Sequence, residues 1–374
     1  MKYIDEYRDG RLARTLAARI AEDVRPGSLY RFMEFCGGHT HAISRFGLVD
    51  LLPANVRLIH GPGCPVCVLP VGRIDMAIGL ARRPEVILCT YGDLMRVPAS
   101  RGATLLKAKA EGADIRMVYS TLDAIRIAEA EPAREVVFFA VGFETTTPPT
   151  ALAIQAALAK RLANFSVFCN HVLTPVAMRA ILAGDEPVEI DGFIGPSHVS
   201  TVIGAAAYAG VAAEFAKPVV IAGFEPLDVM QAILMLVRQH NEGRCDVENQ
   251  YVRAVTSAGN ATAQAGIAEI FELRDAFEWR GLGMVAQSGL KLRPSYAAFD
   301  AEQRFALEEL HGRDNPACEC GAILRGAKTP AECRLFGTVC TPDAPMGSCM
   351  VSSEGACAAH WTYGRLRTPA RGAA

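Results

Sequence analysis

The stretch EVVFFAVGFETTTPPTALAIQAAL (135–158) decides the fold. It opens as an unbroken apolar run rich in β-branched and aromatic residues. After Gly142-Phe143-Glu144 it turns into an alanine-rich helical composition. A strand that is apolar on both faces belongs inside a sheet covered by helices on both sides, which means a parallel sheet. The same form recurs in EVILCTYGD (85–93), FSVFCNHV (165–172), EIDGFIGPSHVS (189–200) and KPVVIAGFE (217–225), with helical stretches between. Such alternation predicts βαβ units. There is also a weak internal echo. Residues 136–158 and VVIAGFEPLDVMQAILML (219–236) share strand, Gly-Phe-Glu and helix, and VILCTYGDLM (86–95) is a looser copy. The irregular spacing points to two related α/β units rather than a solenoid.

Working outward, Leu12, Leu16, Ile20 and Val24 stand four apart, the stripe of an amphipathic helix. A chain of 374 residues is long for one core. The expected organisation is an N-terminal helix over 1–30 packing on the C-terminal part, α/β unit I over 31–130, α/β unit II over 131–240, and a helical or irregular domain over 241–374. From Asp314 the composition becomes dense in Cys, Gly and Pro, and such a segment usually needs a metal to hold it.

Composition is that of an ordinary globular protein, with 51% apolar and 21% charged residues. A net charge of −2 gives no footprint for nucleic acid or an acidic membrane. The N-terminal segment is charged throughout, and no apolar run reaches the roughly 18 residues of a membrane span. The expected location is cytoplasmic. There, twelve cysteines point to metal or redox chemistry rather than structural disulfides.

Those cysteines are unevenly placed. Six crowd into 318–357, as Cys318, Cys320, Cys333, Cys340, Cys349 and Cys357. Paired C-x2-C knuckles, which zinc prefers, are missing from this tail. Thiolates from spread positions suit a four-cysteine iron–sulfur cluster better, and leave two spare. Three more lie in glycine-rich loops: Cys36 in FCGGHTHAI (35–43), and Cys64 and Cys67 in GPGCPVC (61–67), directly after VRLIH (56–60). They could form a three-thiolate site for a soft metal. As a C-x2-C pair, Cys64 and Cys67 also read as a redox dithiol, although Pro65 and Leu69-Pro70 are expected to break up the helix of a thioredoxin-like motif. His41 reads as structural, and His39 is open between ligand and structural residue. Cys89 and Cys169 sit inside apolar strands and read as inert core. Cys245 has no companion.

Two loops at strand ends complete the candidate site. GFETTTPPTA (142–151) is a strand end, a threonine N-cap and prolines in a first helical turn. GPSHVSTVIG (195–204) places His198 on a similar loop. Either is locally a helix start. Together they are a place for ligands, because parallel sheets bind at the C-terminal ends of their strands. That raises Glu144, Thr145, Thr146 and His198 as a set. Asp93 and Arg96 in YGDLMRVP (91–98) read as an ion pair at another strand end. No GxxxxGK[ST], GxGxxG or HExxH occurs, so the common nucleotide and metalloprotease signatures are absent.

Taken in order, FCGGHTH, GPGCPVC, GFETTTP, GPSHVS and the tail CECGAILRGAKTPAECRLFGTVCTPDAPMGSCMVSSEGACAA closely resemble the [NiFe]-hydrogenase maturation factor HypD family, over about residues 30–363. The resemblance implies two Rossmann-like parallel-sheet units plus a smaller iron–sulfur domain with a [4Fe–4S] cluster. It implies an assembly scaffold with redox activity rather than a simple turnover enzyme, on which, with the small chaperone HypC, the Fe(CN)2CO group is built. Cyanide would arrive from HypE, itself loaded by HypF. The family's essential cysteines fall on Cys36, Cys64 and Cys67. Its cluster pattern falls on Cys320, Cys333, Cys340 and Cys357, leaving Cys318 and Cys349 as spares. The other readings are a stand-alone iron–sulfur thiol/disulfide oxidoreductase and a zinc-stapled α/β binding module.

Overall fold

The computed structural model describes residues 4–184 and 188–364. Two parallel sheets form its core. One has the order β2-β1-β7-β8-β9, from Val56–His60, Tyr30–Glu34, Gly192–Pro196, Val219–Ala222 and Val247–Asn249. The other has the order β4-β3-β5-β6, from Ile115–Met117, Val86–Thr90, Glu135–Gly142 and Phe165–His171. All ladders within these two sheets are parallel. The continuous apolar runs behave as their composition demands: β3 and β6 are buried at every position, and β5 at every position after Glu135.

The sheets do not follow the boundary drawn at residue 130. The chain makes β1 and β2, leaves to build the whole second sheet, then returns for β7, which pairs with β1 through Met33 and Phe193. Each sheet therefore draws strands from both of the expected units. Local pattern identifies a strand but not its neighbour, because pairing is settled by which apolar faces are covered together.

Helix α1 (Gly10–Asp23) is capped by Asp9, whose carboxylate accepts from the Arg11 amide over 2.7 Å. It lies along the helix Pro226–Glu242, tied by Arg238 to Asp23 at 2.8 Å. Ile20 is fully buried there, and Leu16 and Val24 pack against the same core, but Leu12 remains half exposed. The stripe is thus one residue shorter than its spacing predicts. Residues 226–312 are mixed: two helices, then two short antiparallel pairs, Phe271–Leu273 with Leu290–Leu292 and Ala276–Trp279 with Gly283–Ala286. From Asp314 to Gly364 only short helical turns form, among them Cys320–Leu324 and Ala356–Ala359. Among the described residues, no helix is long and apolar enough to cross a membrane.

Candidate functional site

The front cysteines sit where parallel strands end. Cys36 is the N-cap of helix α2 (Gly37–Phe46), immediately after β1. Cys64 is the N-cap of the single turn α3 (Pro65–Val68), after β2, and its sulfur accepts from the Cys67 amide at 3.2 Å. This corrects the expectation that Pro65 breaks the motif. Proline at the first helical position gives up only an N–H that has no helical partner, so the turn starts at the first cysteine after all. Cys64 and Cys67 are joined as a disulfide with Cα atoms 5.2 Å apart. Leu69-Pro70 does end the turn, and α4 (Val71–Ala81) follows.

Glycines let these two loops touch. The Gly37 amide donates to the Gly63 carbonyl at 3.0 Å. A Cβ on Gly63 would fall 2.6 Å from the Cys36 Cα, so only glycine allows this approach. A Cβ on Gly37 would meet the Glu354 carboxylate at 2.8 Å, and one on Gly38 would meet Phe224. Cys36 is therefore enclosed by the dithiol loop, Glu354 and the start of its own helix. Burial, with the nearby Glu354 charge, pushes its thiol far up.

Beneath Cys36 lies Glu34, fully buried at the end of β1. It accepts from the Cys36 amide at 3.2 Å, from the Thr40 hydroxyl, and from His60 Nδ1 at 2.8 Å. Burial raises its carboxyl, and His60 partly offsets this. His60 reaches a groove of about 1070 Å³ that runs beside β2 and residues 326–332. Sequence reading missed Glu34. Its one signal was an acid placed on an apolar strand immediately before FCGG.

His39 is buried, with Nε2 facing the carbonyls of Ala222 and Gly223 at 3.0 and 3.2 Å. Two acceptors fix the proton on Nε2, and burial lowers the ring to about 4, so it stays neutral. Its Nδ1 has no hydrogen-bond partner. His41 pairs with the Tyr363 hydroxyl at 3.0 Å, in line with a structural role. His198 is exposed, with its ring 4.3 Å from Phe224, the residue that also packs on His39.

The GFETTT loop differs from the expected capped helix start. Thr146 is the N-cap of Thr147–Ala159, yet no side chain caps it. Thr146 and Thr147 instead turn back to the Phe143 carbonyl at 3.2 and 3.1 Å. Thr145 stands beside them, half-buried. Glu144 is buried and accepts from the Thr174 amide and hydroxyl at 2.8 and 2.9 Å. Burial pushes its carboxyl up to about 7, against those hydrogen bonds. Tyr208 is fully buried and hydrogen-bonded to Ser200 at 3.1 Å, and burial pushes its hydroxyl well up. Asp93 and Arg96 do not pair with each other. Asp93 accepts from Ser352 at 2.7 Å, and Arg96 donates to the Pro342 and Val351 carbonyls at 3.0 and 3.3 Å. Both bind the tail instead.

The tail brings all six of its cysteines to one pocket, with Ile323, Leu335, Phe336 and Met350 as apolar walls. Cys318 and Cys349 stand against Cys320, so Cys320 is held well down while its two neighbours are pushed up. The Met346 amide donates to Cys340 Sγ at 3.4 Å. Soft donors, apolar walls and amide donors to sulfur are what an iron–sulfur cluster requires. Among the described residues, no three His, Cys, Asp or Glu side chains are arranged to hold a single metal ion. Cys89 and Cys169 are buried in β3 and β6, pushed up by burial to about 12 and about 11.

The two sulfur sites are back to back. Ser348, fully buried, donates to the Cys67 carbonyl at 2.8 Å and lies 3.6 Å from Cys320 Sγ. Cys64, Cys67, Cys320, Cys340, Cys349 and Cys357 share one apolar core.

A family model described as HypD, "Hydrogenase formation hypA family", matches residues 11–364. The chain belongs to the HypD family. A hydrogenase maturation factor HypD from Rhizobium leguminosarum bv. viciae is 70% identical over 376 residues, covering 99% of this chain and 98% of that one. The HypD of Escherichia coli K12 is 49% identical over 369 residues, covering 97% and 98%. A relative in Azotobacter chroococcum, 65% identical over 99% of both chains, is named hydrogenase expression/formation protein HupD. Hydrogenase maturation is thus the function of this HypD-family chain.

Proposed function

We propose that this chain is the scaffold on which, with a HypC-type small chaperone, the Fe(CN)2CO group of a [NiFe]-hydrogenase is assembled, with cyanide delivered by HypE after loading by HypF. The iron is cargo. Cys36, together with Cys64 and Cys67 once their disulfide is reduced, supplies its thiolate ligands on this chain, since low-spin iron carrying cyanide and CO is soft and electron-rich. Loops closed by Gly37 and Gly63 leave little ordering to be lost when it binds. Glu144, Thr145, Thr146 and His198, on the two strand-end loops, would offer polar contacts to the diatomic ligands.

Cys320, Cys333, Cys340 and Cys357 would hold a [4Fe–4S] cluster, which supplies one-electron chemistry when bound. Opening the Cys64–Cys67 disulfide takes up two electrons and two protons, and closing it returns them. Ser348, which touches Cys67 and Cys320, is the observation that carries this reading. Through it, a dithiol lies one side chain away from a soft-donor pocket. The disulfide also favours a second reading, a stand-alone thiol/disulfide oxidoreductase.

Mössbauer spectra of iron-57-labelled protein, co-expressed with its partners and purified without oxygen, separate the two. The scaffold gives a cluster signal plus a low-spin iron signal that Cys36→Ala removes. A cluster signal alone, with turnover of a protein disulfide, supports the oxidoreductase. Zinc in place of iron would overturn both.

A further inference from the structure

A buried cation stands beside the sulfur pocket with no role in the reading above. Arg280 is 3% exposed, at the turn of the hairpin formed by Ala276–Trp279 and Gly283–Ala286. Its amide donates to the Val68 carbonyl, the residue after Cys67, at 2.8 Å. The next residue, Gly281 (φ +88°), is pressed onto the first turn of the Cys320–Leu324 helix: a Cβ there would lie 3.0 Å from the Gly321 Cα. Arg325 locks the contact by donating to the Gly281 carbonyl at 2.7 Å. Arg280 and Cys320 thus flank two touching glycines, and the hairpin turn that carries Arg280 sits between the dithiol turn and the tail.

Its polar partners are too few. One nitrogen reaches the Pro98 carbonyl at 3.4 Å, and Asp314, half exposed, stands 3.4 Å from Nε. Nε and Nη1 have no hydrogen-bond partner. Burying a guanidinium this way is unfavourable unless negative charge nearby offsets it.

We propose that Arg280 is the fixed counter-charge of the sulfur pocket. It favours added negative charge on a cluster held by the tail cysteines and so raises its reduction potential. This rests on the tail binding a cluster, and Arg280 acts as a positioning charge rather than a ligand.

The test is a dithionite titration of the full-length reconstituted protein, followed by electron paramagnetic resonance, with iron and sulfide measured on the same samples. Arg280→Met should keep iron and sulfide but shift the reduced-to-oxidised ratio at fixed potential at least tenfold toward oxidised, about 59 mV for one electron. Arg280→Lys should restore most of that shift. Asp314→Asn, which removes the competing anion and leaves the hairpin intact, should move the potential upward. Arg280→Met with a full cluster at the wild-type potential would overturn the proposal. So would Arg280→Lys behaving as the methionine variant, or Asp314→Asn with no upward shift. Wild-type protein that takes up no iron and sulfide would instead overturn the cluster reading itself.

Discussion

Ser348 donates its hydroxyl to the carbonyl of Cys67, 281 residues earlier in the chain, over 2.8 Å. That bond joins the tail to the loop that carries the disulfide. Both ends are buried, so the group left behind by a deletion has no water to turn to. Ser348→Ala should lower unfolding free energy by about 1–2 kcal/mol, read from urea denaturation. A variant as stable as wild type would mean the Cys67 carbonyl finds another donor.

Gly63 and Gly79 give opposite expectations for the same change. At Gly63 a methyl group collides with the Cys36 backbone, and neither loop is free to yield. Gly63→Ala should cost about 1–3 kcal/mol and reduce iron loading at the front cysteines. Gly79 is exposed within α4, and a methyl group added there would meet nothing within 4 Å. There the same change should stabilise by about 0.5–1 kcal/mol, through helix propensity alone. Urea midpoints of the two variants should move in opposite directions.

Glu144 titrates near neutrality in the folded chain, at about 7, against an ordinary value of 4.5. Between those values the folded state holds more protons than the unfolded one, so stability falls as pH rises through this window. Glu144→Gln keeps an acceptor for the Thr174 amide and can donate to its hydroxyl. It should flatten the loss of stability between about pH 5 and 7 and gain a few kcal/mol at pH 8. Unchanged pH dependence would show that Glu144 is not the group responsible.

Cys349 lines the sulfur pocket together with the four assigned ligands, and lies against Cys320. Under the proposed assignment Cys349→Ala should retain bound iron and sulfide, whereas Cys333→Ala and Cys340→Ala should lose most of both. Loss of iron in Cys349→Ala, with retention in Cys333→Ala, would exchange the two roles.

The strands were legible because a parallel sheet demands apolar residues on both faces, and β3, β5 and β6 advertise that directly. Which strands share a sheet was not legible, since β1 and β7 carry no local mark of being neighbours. The front cysteines were readable from their glycine loops, and the tail cysteines from their density. The turn at Pro65 was misread because proline counted as a breaker rather than as a first helical residue. Asp93 and Arg96 were misread as partners because nearness in sequence stood in for nearness in space. Ser348 and Arg280 lie beyond sequence reasoning for the same reason: each matters through residues far away along the chain.

The return of the chain to its first sheet also sets an order of synthesis. β1 and β2 leave the ribosome early, but β7, their partner across β1, follows only after the entire second sheet. At roughly 5–20 residues per second, Cys36, Cys64 and Cys67 spend many seconds outside any closed core, with the tail that covers them still unmade. The front thiols are thus made long before the fold that encloses them.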